Sequence, residues 1–119
     1  MFLPAPDESI WVGVLRLSVR VPGSRSLKDK RRVIRQLCDR LRNRQHLSVA
    51  EVGHREDHGR AVLAATMVSS DARLIQSTLD KAVHQIEQTS PAILDHRTIE
   101  IFRPWGSEGH DEDADASWR

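Results

Sequence analysis

Residues 10–37, IWVGVLRLSVRVPGSRSLKDKRRVIRQL, decide the fold because the spacing of their apolar residues changes once along the stretch. In the first part apolar residues recur at every second position, with Leu15, Leu17 and Val19 on one face. Such alternation is typical of a β-strand, whose successive side chains point to opposite faces. A Pro-Gly pair then ends the alternation. The stretch therefore predicts a strand followed directly by a helix.

The second part of the stretch is predicted to be a helix that begins at Ser26. Serine is a favoured N-cap, and Asp29 at the third helical position places a carboxylate near the exposed N–H groups of the helix start. Apolar residues then recur at helical spacing through about residue 44. This apolar stripe consists of Leu27, Ile34, Leu37, Cys38 and Leu41.

The remaining segments complete an α/β pattern. They are strands over 46–53 and 60–68 joined by the polar turn 54–59, a helix from a cap at Ser70 or Asp71 to the Ser-Pro pair at 90–91, and a strand over about 95–102. The order β-α-β-β-α-β predicts an α/β (α+β) domain of the ferredoxin-like class. Right-handed crossovers would place both helices on one face of a four-stranded antiparallel sheet and leave its other face open.

Composition limits the classes to which the chain can belong. Its 119 residues suit one domain, and a single cysteine excludes an internal disulfide and a cysteine-rich metal site. No apolar run approaches the length of a membrane span, and the start of the chain lacks a signal-peptide pattern, so we expect a cytoplasmic protein. We expect a loose leader over 1–9, the ferredoxin-like domain over 10–103 and an acidic disordered tail over 104–119.

Charge is concentrated on the first helix. Residues 25–44 hold nine Lys or Arg and two Asp, although the whole chain has a net charge of only +1. On a helical wheel five of the cations share one sector of about 100° beside the apolar stripe, and the single acid Asp39 interrupts this sector. We call this sector the basic flank; it consists of Lys28, Arg31, Arg32, Arg35 and Arg42, and Arg25 precedes it.

Two interpretations of the basic flank are nearly balanced, with protein or membrane contact a minor third. Lysine and arginine are good helix formers, so the flank can be an ordinary solvated surface. A solvated surface normally mixes signs of charge, however, and clustered arginine suits phosphate recognition because its guanidinium binds two oxygens at once. Lys30 lies instead within the apolar stripe, where we expect its stem to cover the core edge while its amine reaches water. The alternative for Lys30 is an ion pair with Glu51.

Other candidate sites are weaker, and we predict no catalytic residues, no metal and no cofactor. The loop 20–26 resembles the phosphate-binding loop of acylphosphatases, with Arg20 or Arg25 as the arginine, but the only asparagine, Asn43, lies on the far end of the first helix. His54 and His58 are four residues apart, but in a turn rather than on a helix. Cys38 belongs to the apolar stripe, which favours a buried side chain over a nucleophile.

The open sheet face supplies the second functional hypothesis. Only Trp11 and Phe102 are aromatic residues of the predicted strands, too few for an RNA-stacking platform. If Ile10, Val12 and Val14 face away from the helices, they form an apolar patch typical of a partner or homodimer interface.

The segments VGVLRLSVRVPGSRSLKDKRRVIRQL, SVAEVG and RAVLAATMVSSD resemble the YlxP-like family, a bacterial group of unknown function. The resemblance covers roughly residues 11–102. It implies a ferredoxin-like domain and genes that often lie among those for translation initiation and ribosome maturation, but no activity. Together with the basic flank it favours a non-enzymatic accessory domain that contacts RNA or the ribosome through phosphates, without DNA sequence readout or membrane binding. The alternatives are the homodimer or protein-interaction module and, as the weakest, a small phosphate-binding hydrolase.

Overall fold

A computed structural model describes residues 8–105, which form six elements. They are β1 Trp11–Arg20, α1 Leu27–Gln45, β2 Ser48–Gly53, β3 Arg60–Ser69, α2 Ala72–Thr89 and β4 Ile93–Phe102. Apart from residues 8, 9, 104 and 105, the predicted leader and acidic tail lie outside the described range. No helix within that range is long and apolar enough to cross a membrane.

The four strands form one antiparallel sheet in the order β2-β3-β1-β4. Both helices pack against the same face of this sheet, with α1 over β2 and β3 and α2 over β1, β3 and β4. The predicted ferredoxin-like βαββαβ fold is therefore confirmed. The second sheet face carries neither of the two helices described for residues 8–105, and we call it the open face.

The hydrophobic core lies between the helices and the sheet because the alternation of β1 sends Leu15, Leu17 and Val19 to the helix side. These three side chains are almost fully buried, as are Leu37 of α1 and Leu79 of α2. The half-buried positions Val12 and Val14 alternate with them on the open face.

Close packing of α2 against β1 depends on Gly13. A Cβ added at this position would lie 2.2 Å from Ile75 Cγ2 and 3.2 Å from Leu79 Cδ1. Only a residue without a side chain therefore allows α2 to approach the strand this closely.

Local hydrogen bonds begin both helices where the sequence predicts. The N–H of Asp29 donates to Ser26 Oγ, and the N–H of Arg25 donates to the Asp29 carboxylate, each over 3.1 Å. This reciprocal arrangement resembles a capping box, and the bond to Ser26 satisfies the N–H of Asp29, which the first helical turn leaves unpaired. Of the two candidate caps for α2, Asp71 is the N-cap, and its carboxylate accepts from the N–H of Arg73.

The last strand begins earlier than predicted, at Ile93 instead of about residue 95. The pairing of β1 with β4 shifts between Ser18 and Val19, so that Ser18 pairs with His96 and Val19 with Leu94. Asp95 is the extra residue of this irregularity, and it interrupts the alternation from which the strand was predicted.

Candidate nucleic-acid interface

Helix α1 separates its residues into an inner and an outer surface. Ile34, Leu37, Cys38 and Leu41 are buried against the core, as the apolar stripe predicts. All five residues of the basic flank, and Arg25 before it, are exposed. The inner surface therefore fixes the rotation of the helix, and this rotation directs the flank to solvent.

Four residues of the basic flank have no protein partner within residues 8–105. Lys28, Arg31, Arg32 and Arg35 form neither an ion pair nor a side-chain hydrogen bond with any residue of this range. They are also mutual neighbours, since their spacings of three and four place them side by side on the helix. The result is a compact group of four cations without a described counter-ion.

Arg42, the fifth residue of the flank, is used inside the fold. Its Nη2 donates to the carbonyl oxygen of Val49 on β2 over 2.9 Å, and its Nη1 lies 3.7 Å from the Asp39 carboxylate. Its guanidinium is therefore less available to an external anion than the other four cations. At the opposite end of the helix the Arg25 side chain is exposed, and within residues 8–105 only its backbone N–H is engaged.

Lys30 differs from our expectation. Its side chain is only 1% exposed, so the prediction that its amine reaches water is wrong, and the alternative pair with Glu51 is confirmed. Its Nζ donates to Glu51 Oε2 over 3.0 Å, to the carbonyl oxygen of His54 over 2.9 Å and to that of Arg60 over 3.0 Å; the carbonyl oxygen of Arg55 lies 3.4 Å away. A lysine ammonium has three donors, and here all three find acceptors.

The physical reason for this burial is the turn 54–59, which folds over the end of the lysine side chain. The turn is also attached to the loop before α1: the N–H of Val21 donates to the carbonyl oxygen of Gly59 over 2.9 Å, and His58 Nδ1 lies 3.0 Å from the carbonyl oxygen of Ser24. The sequence pattern placed Lys30 at the edge of the core. It contained no signal that backbone carbonyls of the turn would converge there.

The two histidines of the turn do not lie in a group of metal ligands. Within residues 8–105 no three His, Cys, Asp or Glu side chains are arranged to hold a metal ion. His54 adopts a left-handed backbone conformation with φ of 55°, and its carbonyl oxygen accepts from Lys30. The N–H of Gly59 donates to Asp57 over 2.8 Å and lowers the pKa of that carboxyl below its ordinary value.

The loop considered for phosphatase-like chemistry has one of its arginines engaged elsewhere. Arg20 Nε lies 2.9 and 2.8 Å from the two carboxylate oxygens of Asp95 on β4. This hydrogen bond lowers the pKa of Asp95 and raises that of Arg20. Asn43 lies near the opposite end of α1, and Cys38 is buried, which raises the pKa of its thiol.

The predicted interface residues extend over a larger surface than the sequence indicated. Val12 and Val14 are half-buried on the open face, and Ile10 is half-buried just before β1. Strand register adds neighbours that sequence reasoning missed, because directly paired residues share a face. They are Phe102 opposite Val12 on β4, Val68 and Thr66 on β3, and Ala64 opposite Arg16.

The two strand aromatics lie on opposite faces of the sheet. Phe102 is exposed on the open face, whereas Trp11 is half-buried on the helix side, with the Arg103 guanidinium 5.4 Å from its ring centre. They therefore do not form one stacking surface.

Comparisons with known proteins give a family and a set of similar folds. No curated protein matches the sequence significantly. Among solved structures, the de novo designed protein Foldit4 is 14% identical with a TM-score of 0.45, covering 78% of this chain and 93% of its own. A variant of SnoaB, a cofactor-independent oxygenase from Streptomyces nogalater, is 12% identical with a TM-score of 0.39, covering 79% and 91% respectively. The designed protein Ferredog-Diesel is 8% identical with a TM-score of 0.39, covering 84% and 92%.

With TM-scores below 0.5, these three structures give no information about function. The family model described as "Protein of unknown function (DUF503)" matches residues 12–98, a range from the second residue of β1 into β4 that includes both helices. Because this match covers most of the sequence, the chain belongs to the DUF503 family.

Proposed function

We propose that this DUF503 protein is a YlxP-like, non-enzymatic accessory domain that contacts the phosphate backbone of RNA, on or near the ribosome, through the basic flank of α1. The observation that carries the proposal is the group of four exposed cations, Lys28, Arg31, Arg32 and Arg35, which have no anionic partner within residues 8–105. The gene neighbourhood that the YlxP-like resemblance implies is the reason for naming the ribosome.

The packing of these four cations disfavours a role in stability. They form like-charge pairs at spacings of three and four, and each such pair destabilises a helix by about 0.2–0.5 kcal/mol. A helix surface that served only solubility would alternate charges of both signs. An external polyanion would convert the repulsion into attraction, because each arginine can bind phosphate oxygens through two donors.

The expected binding mode is electrostatic. The four cations extend over roughly 10 Å of the helix axis, which suits successive phosphates of one backbone. Phosphate contacts position a protein without reading sequence, and this is the role that we assign to the flank. Affinity should therefore depend strongly on salt and weakly on RNA sequence.

A charge-matched pair of variants tests the proposal. In the first, Arg31, Arg32 and Arg35 are changed to glutamate; in the control, the exposed residues Arg44, Arg73 and Lys81 are changed to glutamate. Both variants change the net charge equally, but only the first alters the flank. The measurements are RNA affinity at several salt concentrations and sedimentation of cell lysate on gradients at two salt concentrations.

We expect the flank variant to leave the ribosomal fractions and to lose RNA affinity at low salt, with the slope of log K against log salt reduced by about two to three, one unit per lost phosphate contact. The control should keep most of its affinity. Unchanged affinity and co-sedimentation of the flank variant at low salt would refute the proposal. Equal losses in both variants would also refute it, since only net charge would then matter.

A further inference from the structure

The open face has an apolar centre at one end of the sheet. The register places Val12 beside Val68 and Phe102, and Val14 beside Thr66. Ser48 and Ala50 of β2 continue the same rows next to Thr66 and Ala64. Within residues 8–105 no other element covers these side chains, so a surface of valines, alanines and small polar residues faces outward.

This surface carries both a protrusion and a hollow. Val68 is 66% exposed and Phe102 is 37% exposed, so both stand out from the sheet. Beside them lies a hollow of about 260 Å³. Its lining residues on the open face are small or β-branched: Val14, Ser48, Ala50, Ala64 and Thr66.

Charged residues border this apolar centre. At the far end of the sheet, Arg20 lies opposite Arg60 and is paired with Asp95. On the β4 side, Glu100 lies opposite Val14. Arg16 follows Val14 on the same face of β1, and its Nη1 donates to Ser18 Oγ over 3.1 Å. An apolar centre within a polar rim is the usual composition of a protein–protein interface.

The area of the open face agrees with that of a stable dimer. Strands spaced about 4.8 Å apart, with a rise of about 3.3 Å per residue, give these four strands a face of roughly 600 Å² in projection. Accessible area exceeds projected area because side chains are rough, and a standard interface buries about 800 Å² from each partner.

From these features we propose that the open face binds a second copy of this chain, in a two-fold symmetric dimer in which the two sheets face each other. A two-fold interface requires one surface to be complementary to itself. The open face meets this requirement because its protrusion at Val68 and its hollow beside Ala50 and Ala64 lie side by side. This assembly is independent of the proposed RNA contact, because the helices lie on the opposite side of each sheet and both basic flanks remain outward.

Three substitutions that each add one negative charge test the dimer. Val68→Glu alters the protrusion, and Ala50→Glu alters the hollow at an exposed position of the edge strand. Leu74→Glu is the matched control, because Leu74 is 53% exposed on α2, away from the open face. Oligomeric state is measured by sedimentation velocity across micromolar concentrations, and circular dichroism verifies the fold of each variant.

We expect the natural chain and Leu74→Glu to form a concentration-dependent dimer, and Val68→Glu and Ala50→Glu to be monomeric with an unchanged fold. A natural chain that stays monomeric throughout would overturn the inference, as would folded Val68→Glu and Ala50→Glu variants that still dimerise. If Val68→Glu fails to fold, Ala50→Glu decides alone. Equal loss of the dimer in Leu74→Glu would also contradict an interface on the open face.

The proposed dimer and the proposed RNA contact can be refuted independently of each other. Glutamate at Arg31, Arg32 and Arg35 should leave the dimer intact, and Val68→Glu should leave the RNA affinity of each chain unchanged. Loss of the dimer in the flank variant, or of RNA affinity in Val68→Glu, would contradict the assignment of the two activities to opposite sides of the sheet.

Discussion

Lys28 and Lys30 are two residues apart on α1 and lie in opposite environments. Lys30 is buried, and its ammonium donates to Glu51 and to backbone carbonyls of the following turn. Lys28 is exposed and, with Arg31, Arg32 and Arg35, has no partner within residues 8–105. The lysine ammonium at position 30 therefore joins α1 to the β2–β3 turn, whereas the one at position 28 has no partner among residues 8–105.

This difference separates cations that serve the fold from cations that are available for binding. A buried ammonium is tolerated only when acceptors replace its lost hydration, so Lys30 and its acceptors form one structural unit. The four flank cations other than Arg42 keep their hydration, and they repel each other. Their mutual repulsion does not stabilise the helix, which is why we proposed an external anion for them.

The largest expected effect comes from removing the buried charge. Lys30→Met keeps the length of the side chain but removes a donor from the Glu51 carboxylate and from the carbonyl oxygens of His54 and Arg60. The carbonyl oxygen of His54 still accepts from the N–H of Asp57. Breaking a fully buried pair costs about 3–5 kcal/mol, and the loss here should lie near the lower end of this range because the Glu51 side chain is 22% exposed. Urea unfolding should show this loss, whereas Lys28→Met should change the free energy of unfolding by no more than about 0.5 kcal/mol. Similar losses of unfolding free energy in Lys30→Met and Lys28→Met would show that the buried lysine does not stabilise the fold more than the exposed one.

A smaller effect is expected when only the charge of the acceptor is removed. In Glu51→Gln an amide oxygen can still accept from Lys30, so the loss should be about 1–3 kcal/mol. The double variant Lys30→Met, Glu51→Gln should be less destabilised than the sum of the two single variants, because the carboxylate no longer remains without its donor. Additive losses would show that the two side chains do not interact energetically.

Arg20 tests the intermediate case of a cation that is exposed but paired. Its hydrogen bond lowers the pKa of Asp95, so this pair contributes stability above the unfolded carboxyl pKa of about 3.9 and loses it as pH falls through the lower folded value. Carboxyl titration by NMR should give Asp95 a midpoint below the ordinary range, and Arg20→Gln should raise it. Since exposed pairs contribute little to stability, the free energy of unfolding near neutral pH should change only slightly. An unmoved Asp95 midpoint in Arg20→Gln would contradict the assignment.

The smallest expected change in the free energy of unfolding comes from the basic flank, where the sign of the change is informative. The double variant Arg31→Gln, Arg32→Gln has a similar helix propensity and lacks the like-charge neighbours. Its free energy of unfolding should therefore rise by a few tenths of a kcal/mol at low salt. The gain should shrink at high salt, where exposed charges are screened. The control Arg44→Gln, outside the flank, should give no such gain, because the loss of a favourable cation in the last helical turn offsets the loss of its repulsion with Arg40. A loss of stability in the double variant would indicate that the flank arginines contribute to the fold.

The fold was predictable because the starts of its helices and the buried faces of its strands depend on short-range sequence patterns. Ser26 and Asp29 announced the start of α1, and the alternation through Leu15 and Leu17 set the buried face of β1. The start of β4 was missed because the irregularity at Asp95 depends on pairing with β1, which is a long-range contact.

The site was predictable only as a set of residues. Helical spacing alone grouped the flank and correctly placed its members in solvent. The same spacing placed Lys30 at the edge of the core, but its burial depends on a turn about 25 residues away in sequence. Likewise, the neighbours of Val12 and Val14 on the open face follow from strand register, which a single sequence does not specify.

The bond from Arg42 to the carbonyl oxygen of Val49 has a consequence for how the protein avoids misassembly. β2 is an edge strand, and free carbonyls on such an edge are a template on which another chain can add a strand. An intruding strand would have to displace the Arg42 guanidinium before it could pair at Val49. Strand addition at an edge can repeat without limit and leads towards amyloid, whereas sheets that meet face to face form a closed pair. The Arg42 side chain thus occupies one acceptor on the β2 edge of the sheet, where an added strand could otherwise pair.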